Sequence, residues 1–205
     1  MTQLNILKSI TGNSNFLQDK ITSLQDFSEL LLKWNQKINL VSKKITAEEL
    51  WQRHILDSAQ LLKYIPGQSK IVDFGSGAGF PAIILALLSD DEITLVESDQ
   101  RKCAFMQEAK AKFNLNINVI CARIEDVKPF DVDVITSRAL APLQNLLEYS
   151  YPFYKNDNYM LFLKGQNVLE EIKEASIYWD FTHELFPDAV NKEGGVLKIS
   201  NLKRL

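Results

Sequence analysis

The amino-acid sequence predicts an α/β fold, a mostly parallel sheet wrapped by helices and preceded by a helical cap. Three observations carry that expectation. From residue 67 onward, short β-branched runs alternate with stretches of helical period, which is the pattern of βαβ units. The first of those runs passes through Gly75, Gly77 and Gly79 straight into a helix-forming segment, although the 205 residues hold only eight glycines. Before residue 67, by contrast, apolar residues recur only at helical spacing. The expected division is therefore a cap over 1–66 and an α/β domain over 67–205.

Taken in order, Leu17, Ile21, Leu24, Leu31, Trp34 and Ile38 recur at intervals of three, four or seven, predicting a helix across Asn15–Ile38 with one buried face. Thr46-Ala-Glu-Glu49 has the form of a capping box. It opens a second helix carrying Leu50, His54, Ile55, Leu61 and Leu62, which Pro66-Gly67 ends. Strands follow at Lys70–Phe74, Ile93–Glu97, Ile117–Cys121, Val132–Ser137 and Tyr159–Lys164. Helices are expected between them at Pro81–Leu88, Gln100–Phe113 and Pro142–Tyr151, with a further one at Gln166–Ala175. Tyr178–Phe186 and Val196–Ser200 flank Gly194-Gly195 and predict a terminal antiparallel hairpin.

Composition excludes several classes. With 46% hydrophobic and 24% charged residues, the chain is neither disordered nor collagen-like, and no apolar run nears the roughly 20 residues of a membrane span. Met1–Ile10 lacks the basic start and apolar core of a secretory signal, so a cytoplasmic location is expected. Cys103 and Cys121 form no disulfide framework or metal site, and both are expected to be reduced and structural. The net charge of −3 argues against nonspecific coating of nucleic acid. Locally the picture differs, because no acid occurs from Leu30 to Ala47 while Lys33, Lys37, Lys43 and Lys44 do, with Trp34 among them and Arg53-His54 soon after. A solvated helix face explains such a run, and so does a phosphate-contacting surface.

The glycine segment carries the chemistry. Glycines let the chain turn tightly and let a ligand approach the strand end, as in dinucleotide folds. Gly77-Ala-Gly79-Phe-Pro-Ala82 formally satisfies G-x-G-x-x-A, which leaves a nicotinamide oxidoreductase open. Asp73, two residues before Gly75, would repel a pyrophosphate but suits a cationic ammonium, and Glu97 at the end of the second strand can accept ribose hydroxyls. S-adenosylmethionine, with an ammonium, a sulfonium and no phosphate, fits that acid–glycine–acid arrangement better. Ile135-Thr-Ser-Arg-Ala-Leu-Ala-Pro142 has no Asn/Asp-Pro-Pro-aromatic motif for methylating amino groups, and there is no Pro-Cys nucleophile or three-cysteine radical centre.

Several motifs together resemble the bacterial small-subunit ribosomal RNA guanine-N7 methyltransferases. They are Lys33-Trp-Asn-x-x-x-Asn-Leu40, Arg53-His-Ile-Leu-Asp-Ser58, Asp73-Phe-Gly-Ser-Gly-Ala-Gly-Phe-Pro81, Glu97-Ser98, Arg123-Ile-Glu125, Ser137-Arg-Ala139 and Leu163-Lys-Gly-Gln166. The resemblance implies a Rossmann-like class I S-adenosylmethionine-dependent methyltransferase fold, with a mostly parallel seven-stranded sheet and an antiparallel C-terminal strand. It implies cofactor contacts at Gly75, Phe80, Ile124, Glu125 and Arg138, to which the reading of the loop adds Asp73, Gly77, Gly79 and Glu97. This chain has Ala82 where the family commonly has glycine, and Glu97 where it usually has aspartate. Guanine N7 has a free lone pair, so no acid–base catalytic residue is expected. Lys37, Lys43, Lys44, Arg53, His54 and Lys164 are the candidates for holding the substrate. Arg138 could instead pair with a carboxylate, Arg53, His54, Asp57 and Ser58 could instead pack the cap on the sheet, and Lys164 could instead be a structural lysine at the end of its strand. The expected partner is 16S rRNA in the small ribosomal subunit, with no membrane and no metal, the protein acting as a monomer. A noncatalytic RNA-binding assembly module is the remaining alternative.

Overall fold

The computed structural model describes residues 2–190 and 194–205. Seven strands, β1 (Lys70–Phe74), β2 (Glu92–Glu97), β3 (Ile117–Cys121), β4 (Val134–Arg138), β5 (Tyr159–Lys164), β6 (Trp179–Pro187) and β7 (Gly195–Arg204), form one sheet in the order β3-β2-β1-β4-β5-β7-β6. The first five run parallel, and β7 pairs antiparallel with both β5 and β6. The terminal hairpin thus forms as expected, but its second strand inserts between β5 and the first. Strand order reverses between β1 and β4, and at such a switch point the carboxyl ends of the strands open a crevice for ligands.

The parallel strands are apolar on both faces because both faces are covered. Ile71, Ile93, Leu95, Leu161 and Leu163 point to one side, where they join α5 (Ala82–Leu88), α6 (Gln100–Phe113) and the cap in one core cluster. Val72, Phe74, Ile135, Met160 and Phe162 point to the other, under α7 (Leu143–Ser150) and α8 (Val168–Ala175). The period-2 alternation therefore puts Asp73 on the cap side.

The cap comprises α1 (Gln3–Thr11), α2 (Gln18–Asn35), the short α3 (Ala47–Leu50), a π-helical stretch Trp51–Leu56, α4 (Asp57–Ala59) and a 3-10 turn Gln60–Tyr64. α1 goes beyond the sequence reading. Thr2 accepts from Asn5 N at its start, and Gly12 ends it in a left-handed conformation. The capping box at Thr46 forms as expected, with Thr46 Oγ1 accepting from Glu49 N at 3.1 Å and Thr46 N donating to Glu49 Oε2 at 3.0 Å. Leu17 departs from expectation. It precedes α2 and is 68% exposed, while its neighbour Phe16 is buried.

Cap and sheet share a single apolar core that runs across residue 66. Phe27 of α2 sits at its centre, edge-on to Phe80 at 5.9 Å and to Phe113 at 6.3 Å, and tilted against Phe105 at 6.1 Å. Lys20 Nζ donates to Leu87 O and Tyr159 OH to Tyr64 O, tying the two parts by their polar groups as well. No helix among the described residues is long and apolar enough to cross a membrane. Cys103 is buried in α6, its thiol pushed up to about 12 by burial first and then by Cys121. Cys121 is exposed at the end of β3, so only Cys103 has the buried, structural setting expected of both.

Candidate active site

β1 delivers the chain into the glycine loop, which is folded by its own backbone. Gly75 N and Ser76 N donate to Val96 O, and Gly79 N donates to Ser76 O at 2.7 Å. Gly79 needs to be glycine twice over: its φ is +82°, and a Cβ there would stand 2.3 Å from Ile83 Cδ1. Glu97 braces the loop from the next strand. Its Oε2 accepts from Gly77 N and its Oε1 from Asp99 N, both at 2.8 Å, leaving each oxygen a second lone pair for a ligand hydroxyl.

A cavity of about 380 Å³ opens over this loop. Of the residues expected to hold a cofactor, Gly75, Gly77, Phe80, Glu97, Ile124, Glu125 and Arg138 line it, while Asp73 and Gly79 are buried and do not. Asp73 is fully buried. Its Oδ1 accepts from Thr136 Oγ1 at 2.8 Å, its Oδ2 has no partner among the described residues, and burial raises its pKa to about 7. An orphaned carboxylate oxygen immediately before a glycine cradle, with a second carboxylate opposite, suits a ligand carrying positive charge and a ribose. It does not suit a pyrophosphate.

Sequence reasoning missed Leu40 and Val41, which also line the cavity from the cap. The buried Asn35 places them, its Oδ1 accepting from Leu40 N at 2.9 Å and Val41 N at 3.0 Å. The signal was present in the Trp-Asn-x-x-x-Asn-Leu spacing, since an asparagine can bond backbone a few residues on and close a loop.

Arg138, at the end of β4, spends its guanidinium on the cap. Nε donates to Asp57 Oδ2 at 2.8 Å, Nη2 donates to Arg53 O at 2.7 Å, and Nη1 lies 2.9 Å from His54 Nδ1. Burial, and then the cations Arg138 and Arg53, push His54 down to about 4. It is therefore neutral near pH 7, with Nδ1 the acceptor toward Arg138, and its ring lies 5.0 Å from that of Phe80. Asp57 goes the other way. Burial raises it to about 6, outweighing the adjacent guanidinium, and Asp188 adds to the rise. The π-helical turn at 51–56 holds this arrangement, and such turns often occur at functional sites. Ser58 donates to His54 O at 2.6 Å.

Across Arg138, Ala139 and Leu140 lies a larger cavity of about 690 Å³, lined also by Arg53, Asp57, Lys164, Glu171 and Asp188. Ala139 adopts φ +53°, a strained conformation for a residue with a Cβ, at the wall between the two cavities. Arg53 and Lys164 thus belong to one cavity. Lys37 and Lys43 line another, of about 380 Å³, together with Asp99, Arg101 and Lys102; Lys44 is exposed nearby on the same loop. The candidates for substrate contact thus fall in different places, since His54 lines the glycine-loop cavity itself, Arg53 and Lys164 line the larger one, and Lys37 and Lys43 line the third. If the loop lysines grip phosphates, replacing Lys37, Lys43 and Lys44 with alanine weakens RNA binding and lowers the slope of log affinity against log salt by about 2, at roughly 0.7 per single-strand phosphate contact. Filter binding across a salt series measures it, and an unchanged slope assigns the three to solvent. Among the described residues, no cluster of three metal-ligating side chains occurs.

A family model described as GidB, rRNA small subunit methyltransferase G, matches residues 20–195. The chain is 48% identical over 182 residues to a ribosomal RNA small subunit methyltransferase G of Gluconobacter oxydans, covering 89% of this chain and 94% of that one. It is 40% identical over 198 residues to the protein of the same name from Paramagnetospirillum magneticum, covering 96% of both. Among solved structures, a SAM-dependent methyltransferase from Aquifex aeolicus superposes with a TM-score of 0.59 at 17% identity, over 77% of this chain and 95% of that one. M. jannaschii TYW2 in complex with AdoMet superposes with a TM-score of 0.57 at 16% identity, over 80% of each. At those identities the superpositions establish the class I methyltransferase fold alone.

Proposed function

Because the chain belongs to the rRNA small subunit methyltransferase G family, we propose that it transfers the methyl group of S-adenosylmethionine to N7 of a guanine in 16S rRNA. The observation that carries the reading is the pairing of a carboxylate-backed glycine cavity with a larger polar cavity across one thin wall, Arg138–Leu140. When bound, S-adenosylmethionine supplies an electrophilic methyl on a sulfonium. As the bond from N7 to that carbon forms, the bond from carbon to sulfur breaks, and the positive charge passes to the purine.

Guanine N7 offers an in-plane lone pair and has no proton to lose, so the chain needs no general base. Its residues position and exclude instead, and orientation of this kind is worth up to about 7–11 kcal/mol in favourable systems. Glu97 receives ribose hydroxyls while holding Gly77 N, so ligand and loop are set by one carboxylate. Asp73, ionised, balances the ammonium from behind the loop. Leu40, Val41 and Phe80 supply apolar walls that keep water from the methyl. Neutral His54 adds no cation beside a purine that becomes positive. Arg138 acts as a positioning residue, holding the cap over the cavity. The loop lysines, in this reading, engage the RNA, and the protein works as a cytoplasmic monomer.

The test is transfer of labelled methyl from S-adenosylmethionine to purified small ribosomal subunits, with the modified base mapped afterwards. Calorimetric binding of NAD(H) with none of S-adenosylmethionine would point to an oxidoreductase. Binding of subunits without transfer would point to an assembly module.

A further inference from the structure

The cavity of about 690 Å³ holds a polar pair that the fold alone does not exhaust. Lys164 ends β5 with its side chain only 7% exposed, and its ammonium meets Glu171 Oε2 at 2.5 Å and Ala141 O at 3.3 Å. One of its three N–H groups is thereby left over. Glu171, reaching in from α8, is held from two sides, because the same Oε2 also accepts from Leu143 N at 2.7 Å. Its Oε1 has no partner among the described residues. Neither group serves the cofactor cavity. An anchored carboxylate with one oxygen open, beside an anchored ammonium with one proton open, presents an acceptor and a donor side by side.

On the premise that the protein methylates guanine N7, we infer that this pair reads the acceptor base: Glu171 Oε1 accepts from guanine N1–H and N2–H, and Lys164 donates to O6. Sheet register supports the orientation. β4 and β5 are neighbours, with Arg138 opposite Leu163, so Lys164 lies one residue beyond the partner of Arg138. In guanine O6 and N7 lie side by side on one edge of the base. A base with O6 on Lys164 therefore presents N7 to the wall at Arg138–Leu140, the side on which the cofactor cavity lies. Adenine fits the pair badly, since its N1 lone pair would face the carboxylate and its amino group the ammonium. A site built to satisfy donors rejects the base that lacks them. Glu171 and Lys164 are thus specificity-determining residues, and Arg53, which lines the same cavity, stands where the nucleotide's phosphate would enter.

The test uses the full chain, S-adenosylmethionine, and small subunits assembled with either guanine or inosine at the methylated position, inosine lacking only the 2-amino group. The wild type is expected to prefer guanine by about tenfold or more in kcat/KM. Glu171→Gln, which retains an oxygen for Leu143 N, should lose about 10- to 100-fold on guanine, and its preference over inosine should collapse toward one. Lys164→Met should lose rate on both bases equally, because both carry O6. Calorimetric affinity for S-adenosylmethionine and the melting temperature separate recognition from structure. With both near wild type, a collapsed preference supports the inference. A preserved guanine preference in Glu171→Gln overturns it, as does a loss of rate that tracks lost cofactor binding or folding. A wild type that methylates no subunit at all overturns the proposed activity and this inference with it, whereas an active wild type with unaltered variants overturns only the inference.

Discussion

Arg138→Ala is expected to destabilise the protein by about 3–5 kcal/mol at pH 8, the usual cost of stripping one partner from a buried ion pair. The side chain is 20% exposed and that of Asp57 only 9%, so water does little to replace the lost guanidinium. The deficit has a pH signature. Asp57 sits near a pKa of about 6 even with Arg138 beside it, and without that cation the value rises further. At pH 5 the carboxyl is therefore protonated and the penalty shrinks. Urea denaturation at pH 5 and pH 8 measures both, and a pH-independent loss would show that Asp57 is not the group left unpaired. A double variant, Asp57→Asn with Arg138→Met, should recover much of the stability because no buried charge is stranded. It should not recover methyl transfer, since Arg53 and His54 also lose the hydrogen bonds that fix them between the two cavities.

Asp73→Asn tests the orphaned carboxylate, and its expected effects have opposite signs for stability and for cofactor binding. The folded pKa of Asp73 is raised from 3.8 to about 7. Its favourable contribution is thus complete below pH 3.8 and disappears as pH rises through 7, a swing on the order of 4 kcal/mol at 1.36 kcal/mol per unit. Asp57 acts in the same sense up to about pH 6. His54, lowered to about 4, acts oppositely: its contribution is present above 6.5 and is lost as pH falls through 4. Subtracting variant from wild type cancels the other two groups. The variant, which keeps an oxygen for Thr136 Oγ1, should gain stability relative to wild type on going from pH 5 to pH 8. Its affinity for S-adenosylmethionine should fall by about 10- to 100-fold, as the attraction of the buried carboxylate for the ammonium across the loop is lost. Wild-type affinity should tighten as pH rises from 5.5 toward 7 while that of the variant stays flat. A stability difference that ignores pH, or equal affinities, would place the ionisation of Asp73 elsewhere.

The order of elements from residue 67 was legible because burial on both faces demands continuous apolar strands and intervening helices of helical period, as Ile71–Phe74 and Phe105–Ala109 illustrate. The glycine loop and Glu97 were legible for a local reason too, since a strand-to-helix turn that admits a ligand needs residues without a Cβ. The motifs around Trp34, His54, Arg138 and Lys164 carried the family resemblance without saying what each side chain touches. α1 went unread because nothing in Met1–Ile10 beyond a weak apolar spacing announces it. Leu17 does not share the burial of Ile21 and Leu24 because the helix starts one residue later, with Phe16 turned inward in its place.

By itself the sequence determined the class of fold, the glycine loop that follows the first strand, and the family, because each is written in local periodicity and short motifs. Only the tertiary structure decided that Arg138 belongs to Asp57 and His54, that Asp73 is buried off the lining of the glycine-loop cavity, and that Lys164 and Glu171 face a second one. The insertion of β7 between β5 and β6 belongs with these. Asp57 and Arg138 are 81 positions apart, and no periodicity of helix or strand relates residues at that distance. A π-helical turn and two neighbouring strand ends bring them together, and packing in three dimensions, not spacing along the chain, selects which charges meet.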